Sequence, residues 1–138
     1  MREIFIEMNS SPCSALKPNS GSYQHSIQMN GEVVNDTQEY VVYILKDGNV
    51  DDTISGNSAY ECKIAVGNPD TPMAEATLVA NDVDHYFSGS LNLGDQRLVD
   101  YIGTSDHKSL LFECQLSSSN YINTTLQSGM VVYNDVIS

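Results

Sequence analysis

The segment Tyr-Glu-Cys-Lys-Ile-Ala-Val, residues 60–66, alternates large apolar side chains with polar or small ones. Because successive side chains of a β-strand point to opposite faces, this period of two predicts a strand with one buried face. The same alternation recurs at residues 110–116, where Phe112 and Cys114 lie on the apolar side. Two such segments, far apart in the chain, indicate a core built by β-sheet.

Apolar runs separated by turn residues predict further strands on both sides of these two. Residues 40–45 are continuously apolar, which is typical of a central strand, and Asp47-Gly48 ends this run. Asn30-Gly31 predicts a hairpin turn, and Gly89 predicts a bulge or a close approach of two strands. The remaining predicted strands are residues 4–8, 23–29, 73–80, 86–93, 121–127 and 130–137.

Residues 95–102 form the only helix candidate. Leu98, Tyr101 and Ile102 fall on one helical face, and Gly103 stands where a C-terminal cap glycine belongs. The other connections are too short for helical crossovers, so the pattern predicts an all-β protein. We expect an antiparallel two-sheet sandwich, immunoglobulin-like or jelly-roll-like, with one short helix and with a barrel as the alternative. Residues 1–138 are predicted to form a single domain with a mobile arm or loop at residues 9–21.

The charge balance excludes several classes of partner. The chain has 138 residues, 6 of them Lys or Arg and 18 Asp or Glu, for a net charge of -12. Such a surface repels phosphate backbones, so we expect no nucleic-acid partner. No apolar run approaches the roughly 20 residues that cross a bilayer, and no secretory signal is recognised, so no membrane partner is expected either. Cys62 and Cys114 lie in apolar alternations and are interpreted as reduced core residues.

One acidic segment, residues 47–52, begins like a calcium-binding EF-hand loop. Oxygen donors occupy its first, third and fifth positions. Asp52 stands where the loop requires glycine, however, and Ser58 where it requires a bidentate glutamate. We interpret the segment as a solvated acidic hairpin loop, with a weak calcium site as the alternative.

The histidines do not form a catalytic pattern. Asp84-His85 and Asp106-His107 are sequence neighbours, and neighbours in a strand point to opposite faces, so neither pair is an acid–base dyad by itself. His25 is interpreted as a partly buried strand residue. No nucleophile elbow or phosphate-binding loop occurs in the sequence. We therefore predict a non-enzymatic protein with no catalytic, cofactor-binding or metal-binding residues and no cofactor.

The tyrosines are the remaining candidates for contact residues. Their positions in apolar or alternating runs predict core or interface roles for four of them: Tyr23, Tyr40, Tyr43 and Tyr60. Tyr121 and Tyr133, near the end of the chain, are predicted to be exposed contact residues.

Four segments of the C-terminal half carry a resemblance to a known class of proteins. They are YFSGSLNL at residues 86–93, LVDYIG at 98–103, LLFEC at 110–114 and MVVYNDVI at 130–137. In this order, residues 73–137 resemble the β-sandwich modules of bacteriophage virion proteins, which serve in capsid decorations, fibres and baseplates. In fibre-type proteins the last segment leads into further chain, whereas here it is followed by Ser138, which favours a stand-alone decoration or attachment protein.

The resemblance implies a non-enzymatic virion structural protein that decorates the capsid or attaches to the tail or fibre apparatus. The implied partners are the major capsid protein or tail and baseplate proteins, further copies of the chain in a homo-oligomer, and host surface glycans. The implied location is the virion, assembled in the host cytoplasm. The alternative function is a carbohydrate-binding or adhesin module on the same fold.

Overall fold

A computed structural model describes residues 2–7, 14–15, 29–119 and 122–137. These residues form ten strands and one helix. In chain order the elements are β1 Arg2–Glu7, β2 Ser14–Ala15, β3 Met29–Val33, β4 Thr37–Lys46, β5 Asn49–Val50, β6 Glu61–Asn68, β7 Thr71–Asn81, β8 Tyr86–Asn92, α1 Gln96–Ile102, β9 His107–Ser117 and β10 Ile122–Tyr133.

The strands form one curled sheet. Its order is β2-β1-β4-β8-β7-β6-β9-β10-β3, and β5 pairs with β4 off this path. Strand β7 forms the corner of the sheet, because Thr71 to Leu78 pair with β6 whereas Val79 to Asn81 pair with β8. The result is a strongly curled half-barrel that wraps around its own core.

The mostly β fold with one short helix confirms the predicted class, but the predicted pairing is wrong in part. β1 runs parallel to β4 and β3 runs parallel to β10, so the sheet is mixed rather than antiparallel. The sheet is also not clearly divided into the two layers of a sandwich. Both parallel partners are distant in the chain, and alternation within a single strand carries no information about such pairing.

The core lies on the concave side of the curl. Tyr40 of β4 stacks on Phe112 of β9 with ring centroids 5.4 Å apart, which joins the two halves of the sheet across the interior. Val41 and Val42 are both buried, so β4 is covered on both faces, as its continuous apolar run predicts. The largest fully buried side chains also include Phe87, Ile6, Ile44, Leu45, Ile64, Leu91, Leu93, Leu98, Ile102 and Leu116.

The helix forms where the sequence predicts it. The Asp95 carboxylate accepts a hydrogen bond from the backbone N–H of Arg97 and caps the first turn. Gly103 has a φ of 56° and donates its N–H to the carbonyl of Val99, which confirms it as the C-terminal cap. Leu98 and Ile102 are buried against the sheet.

One predicted turn and one predicted break between strands are absent, and Gly89 is a close-approach point rather than a bulge. Asn30-Gly31 lies inside β3, where the ring of Tyr133 occupies the space that a side chain at Gly31 would need. Residues 122–133 form one continuous strand, so the break expected after Gln127 does not occur. Gly89 is a close-approach point, because a Cβ there would lie 2.9 Å from Leu78 Cδ2.

An ion pair brings together the two ends of the curled sheet. Arg2 of β1 contacts Glu32 Oε1 of β3 through Nη2 at 2.8 Å and through Nε at 3.0 Å. The Glu32 side chain is 3% exposed and that of Arg2 is 40% exposed. Burial, and then the nearby Glu32 carboxylate, raise the pKa of the Tyr40 hydroxyl. Within the described residues this hydroxyl has no hydrogen-bond partner at acceptable geometry.

Replacing Arg2 by Met should destabilise the fold, because the variant leaves the buried Glu32 carboxylate without its counter-ion. We expect a loss of about 2–3 kcal/mol in the free energy of unfolding, below the range for fully buried pairs because Arg2 is partly exposed. The double variant Arg2→Met/Glu32→Leu should recover most of this loss. Urea denaturation measures both, and a single variant as stable as the wild type would show that the ion pair does not hold the sheet closed.

Replacing Asp95 by Ala should cost about 1 kcal/mol near neutral pH, because it removes the helix cap. Hydrogen bonds from the Arg97 side chain and backbone lower the pKa of Asp95 below its ordinary value of 3.8. The stabilisation is therefore present above that value and is lost as the pH falls through the lower folded-state pKa. Thermal unfolding at several pH values should show the difference shrinking in acid. Asp95→Asn keeps the cap acceptor and should lose most of the pH dependence, whereas a pH-independent deficit for Asp95→Ala would contradict the assignment.

Candidate interaction surface

An open trough of about 750 Å³ lies on the outer face of β6, β7, β9 and β10. The side chains that line it alternate along each strand with core residues, so the trough is the reverse side of the buried sheet face. The turn of residues 68–72 lines part of the trough. Six outward side chains define its central part: Lys63, Ala65, Glu75, Thr77, Glu113 and Gln115.

The strand register arranges these side chains in rows. Ala65 of β6 lies opposite Glu75 of β7 on one side and opposite Glu113 of β9 on the other. In the next row, Lys63 lies between Thr77 and Gln115. Because Ala65 carries only a methyl group, the floor between the two glutamates is low.

Within the ranges that the structure describes, the charged side chains of the trough make only long polar contacts with their neighbours. Glu75 Oε1 lies 3.6 Å from Arg97 Nη2, and Gln127 Nε2 donates to Glu113 Oε1 at 3.5 Å. Lys63 Nζ lies 3.3 Å from Glu61 Oε1, at the edge of the trough. Contacts of this length between solvated side chains contribute little free energy. Both carboxylates of the central row therefore remain available to a partner.

The trough was not predicted from the sequence. Alternation placed Lys63 and Ala65 on the outer face of β6, which the structure confirms. It could not show that Glu75 and Glu113, which are 38 positions apart in the numbering, flank the same alanine. The only sign of the trough in the sequence was the small side chain of Ala65 among long polar ones on the outward face of β6.

The tyrosines divide between the core, a half-buried outer row and the surface. Tyr40 is fully buried, which confirms its predicted core position, and Tyr60 is half-buried. Tyr43 stacks on Phe5 at 5.1 Å and meets Tyr86 edge-on at 5.7 Å, forming an aromatic row across β1, β4 and β8.

Tyr133 is 46% exposed, as predicted for a contact residue. Its ring lies 5.8 Å from that of His107, the residue opposite it on β9. The predictions for Tyr23, Tyr121 and His25 lie outside the described residues. Of the predicted arm, Ser14 and Ala15 form β2 against β1, and the other arm residues also lie outside the described part.

The histidines have structural positions. His85 occupies a turn with a φ of 60°, and its backbone carbonyl accepts a hydrogen bond from the buried Ser55 hydroxyl at 2.7 Å. His107 begins β9 and is exposed. Within the described part of the chain, neither imidazole hydrogen-bonds to a carboxylate, and no group of three or more His, Cys, Asp and Glu residues could hold a metal ion.

The acidic segment at residues 47–52 contains the turn from β4 to β5, β5 itself and the two residues that follow it. Asp47 and Gly48 both have positive φ, and Gly48 donates its N–H to the buried Glu7 carboxylate at 2.8 Å. Asp51 Oδ1 accepts hydrogen bonds from the backbone and the hydroxyl of Thr53. Asp51 is thus engaged by a local turn contact and the Gly48 N–H by Glu7 of the neighbouring strand β1, an arrangement that fits a hairpin loop.

Among the described residues, no helix is long and apolar enough to cross a membrane.

Comparisons with known proteins give no family. No family model and no curated protein matches the chain. Among solved structures, the N-terminal domain of ORF48 of phage TP901-1 is similar, with a TM-score of 0.42, 7% identity, and coverage of 97% of each chain. The natural cytotoxicity receptor NKp44 of NK cells also has a TM-score of 0.42, with 12% identity over 80% of this chain and 100% of the receptor chain. At these scores neither likeness carries an argument about function.

Two buried cysteines face each other across β6 and β9. The Sγ atoms of Cys62 and Cys114 lie 3.6 Å apart, neither forms a disulfide bond, and both side chains are fully buried, which confirms the interpretation of both as reduced core residues. The hydrogen bond to Cys114 and burial raise the pKa of the Cys62 thiol. A thiol in this environment is unreactive until the protein opens.

In a Cys13→Ser background, iodoacetamide should therefore label Cys62 and Cys114 only as fast as the protein unfolds. Mass spectrometry of the labelled protein with and without urea measures this rate. Rapid labelling of either cysteine under native conditions would contradict the packing described here.

Proposed function

We propose that this protein is a non-enzymatic structural protein of a bacteriophage particle, which decorates the capsid or attaches to the tail or fibre apparatus. The observation that carries the proposal is the open trough across four strands. Small-molecule sites enclose most of their ligand, whereas this concavity is open and extends over four strands. Such a surface suits a segment of another protein.

The distribution of charge agrees with this role. A net charge of -12 keeps many copies soluble and apart before they are assembled. The same charge disfavours contact with the packaged genome and favours a protein partner. Attachment to a symmetric particle multiplies a weak contact, so each copy needs only modest affinity.

The sequence resemblance of residues 73–137 to virion modules supports the phage assignment, and this stretch supplies four of the six central side chains of the trough: Glu75, Thr77, Glu113 and Gln115. β9, β10 and all but the first two residues of β7 lie within it, and β6 lies just before it. We extend the proposal to the partners: the major capsid protein or tail and baseplate proteins, with further copies of this chain in a homo-oligomer. The virion is the proposed location.

Particles assembled from a genome that lacks this gene should bind the purified protein. We expect saturation at a fixed number of copies per particle that matches a symmetry of the capsid or the tail, measured by gradient sedimentation and quantitative mass spectrometry. Glu39→Gln, an exposed change on β4 away from the trough, serves as the control and should bind like the wild type. Absence of the protein from purified wild-type particles, despite its presence in the lysate, would refute the proposal.

A further inference from the structure

The central row of the trough places one small residue between two glutamates. Glu75 and Glu113 are both cross-strand neighbours of Ala65, one on each side. Since adjacent strands lie about 4.8 Å apart, the Cα atoms of the two glutamates are roughly 10 Å apart. Only the methyl group of Ala65 lies between them, so a side chain from outside can descend to the floor of the trough.

The environment of this gap favours a cation. Glu113 is half-buried although it points outward, so a charge bound there is partly shielded from water. The contacts of Glu75 with Arg97 at 3.6 Å and of Glu113 with Gln127 at 3.5 Å are long, and a closer donor could replace them. Lys63, the cation of the neighbouring row, lies 3.3 Å from Glu61.

Guanidinium matches the gap better than ammonium does. It is planar and presents five N–H donors in a fixed geometry, so its opposite edges can bind two carboxylates at once. It is also weakly hydrated, and the floor of the trough offers the apolar surfaces of Ala65 and Leu111 to its face. An ammonium group is strongly hydrated and binds as a point charge.

We propose that the trough is the docking site for an extended segment of a partner protein that places an arginine side chain between Glu75 and Glu113. The trough volume of about 750 Å³ exceeds that of one side chain, so residues flanking the arginine also lie in it. Thr77 and Gln115, in the next row, offer hydrogen bonds to the backbone of this segment. The positive segment complements a chain with a net charge of -12. That the partner is a protein of the phage particle rests on the proposed function, whereas the chemistry of the site does not.

The test uses the full chain, labelled with ¹⁵N, and three synthetic peptides. The probe is acetyl-Ser-Val-Arg-Val-Ser-amide, and the other two peptides carry lysine or the neutral isostere citrulline in place of the arginine. We expect the arginine peptide to shift the backbone amide signals of Ala65, Glu75 and Glu113 saturably. The citrulline peptide should bind about tenfold more weakly or worse, because it lacks the charge-assisted hydrogen bonds. The lysine peptide should lie between the two.

Two variants locate the site on the protein. Glu113→Gln keeps the shape of the side chain and should lower the affinity for the arginine peptide about tenfold. Ala65→Leu fills the gap and should abolish binding of the arginine peptide. Both changes face outward, so the unfolding midpoints should stay near that of the wild type. Glu39→Gln, which removes one negative charge outside the trough, should leave peptide affinity unchanged.

Equal binding of the arginine and citrulline peptides, or undiminished affinity in Glu113→Gln, would overturn the inference. Equal weakening by Glu39→Gln would show attraction by net charge alone and would overturn it as well. Failure of this site is distinguishable from failure of the proposed function. A protein that attaches to particles but ignores the arginine peptide refutes only the site, and one that binds the peptide but is missing from particles refutes only the phage role.

Discussion

The fold depends on closure of the curled sheet. β1, near one end of the strand order, and β3, at the other end, do not pair through backbone hydrogen bonds. Arg2 on β1 and Glu32 on β3 meet across that gap. Deeper inside, the stack of Tyr40 on Phe112 joins the same two halves through apolar contact. An open curl would expose its concave face to water, so these two contacts help one curled sheet to enclose its core.

Sequence reasoning predicted the strands and the helix that are determined by interactions between residues close together in the chain. The alternation at residues 60–66 and 110–116 became β6 and β9, because a period of two separates the buried face from the solvated one. Asp95 and Gly103 delimited the helix through capping interactions that involve only nearby atoms. Partner choice between strands was not predictable in this way. Asn30-Gly31 is a frequent turn pair, yet packing beneath Tyr133 places it within a strand.

The same distinction explains why the trough had no signature in the sequence. Its residue types are ordinary for the outer face of a sheet, and only the register of β6 against β7 and β9 brings two glutamates to either side of one alanine. Sequence reasoning did single out the histidines and the acidic loop, but their backbones are held by distant residues: the Ser55 hydroxyl donates to the His85 carbonyl, and the Gly48 N–H donates to Glu7. A surface built from such pairings becomes visible only once the strands are placed.

The shortness of β2 bears on how the protein behaves at high concentration. Exposed sheet margins polymerise readily when many copies are crowded together, because unsatisfied amides on one molecule pair with those on the next. Among the described residues, the two-residue strand β2 lies at one margin of the sheet, and the contact of Arg2 with Glu32 joins β3, at the other margin, to β1. These two features reduce the length of backbone edge with which a neighbouring copy could pair when the protein is concentrated.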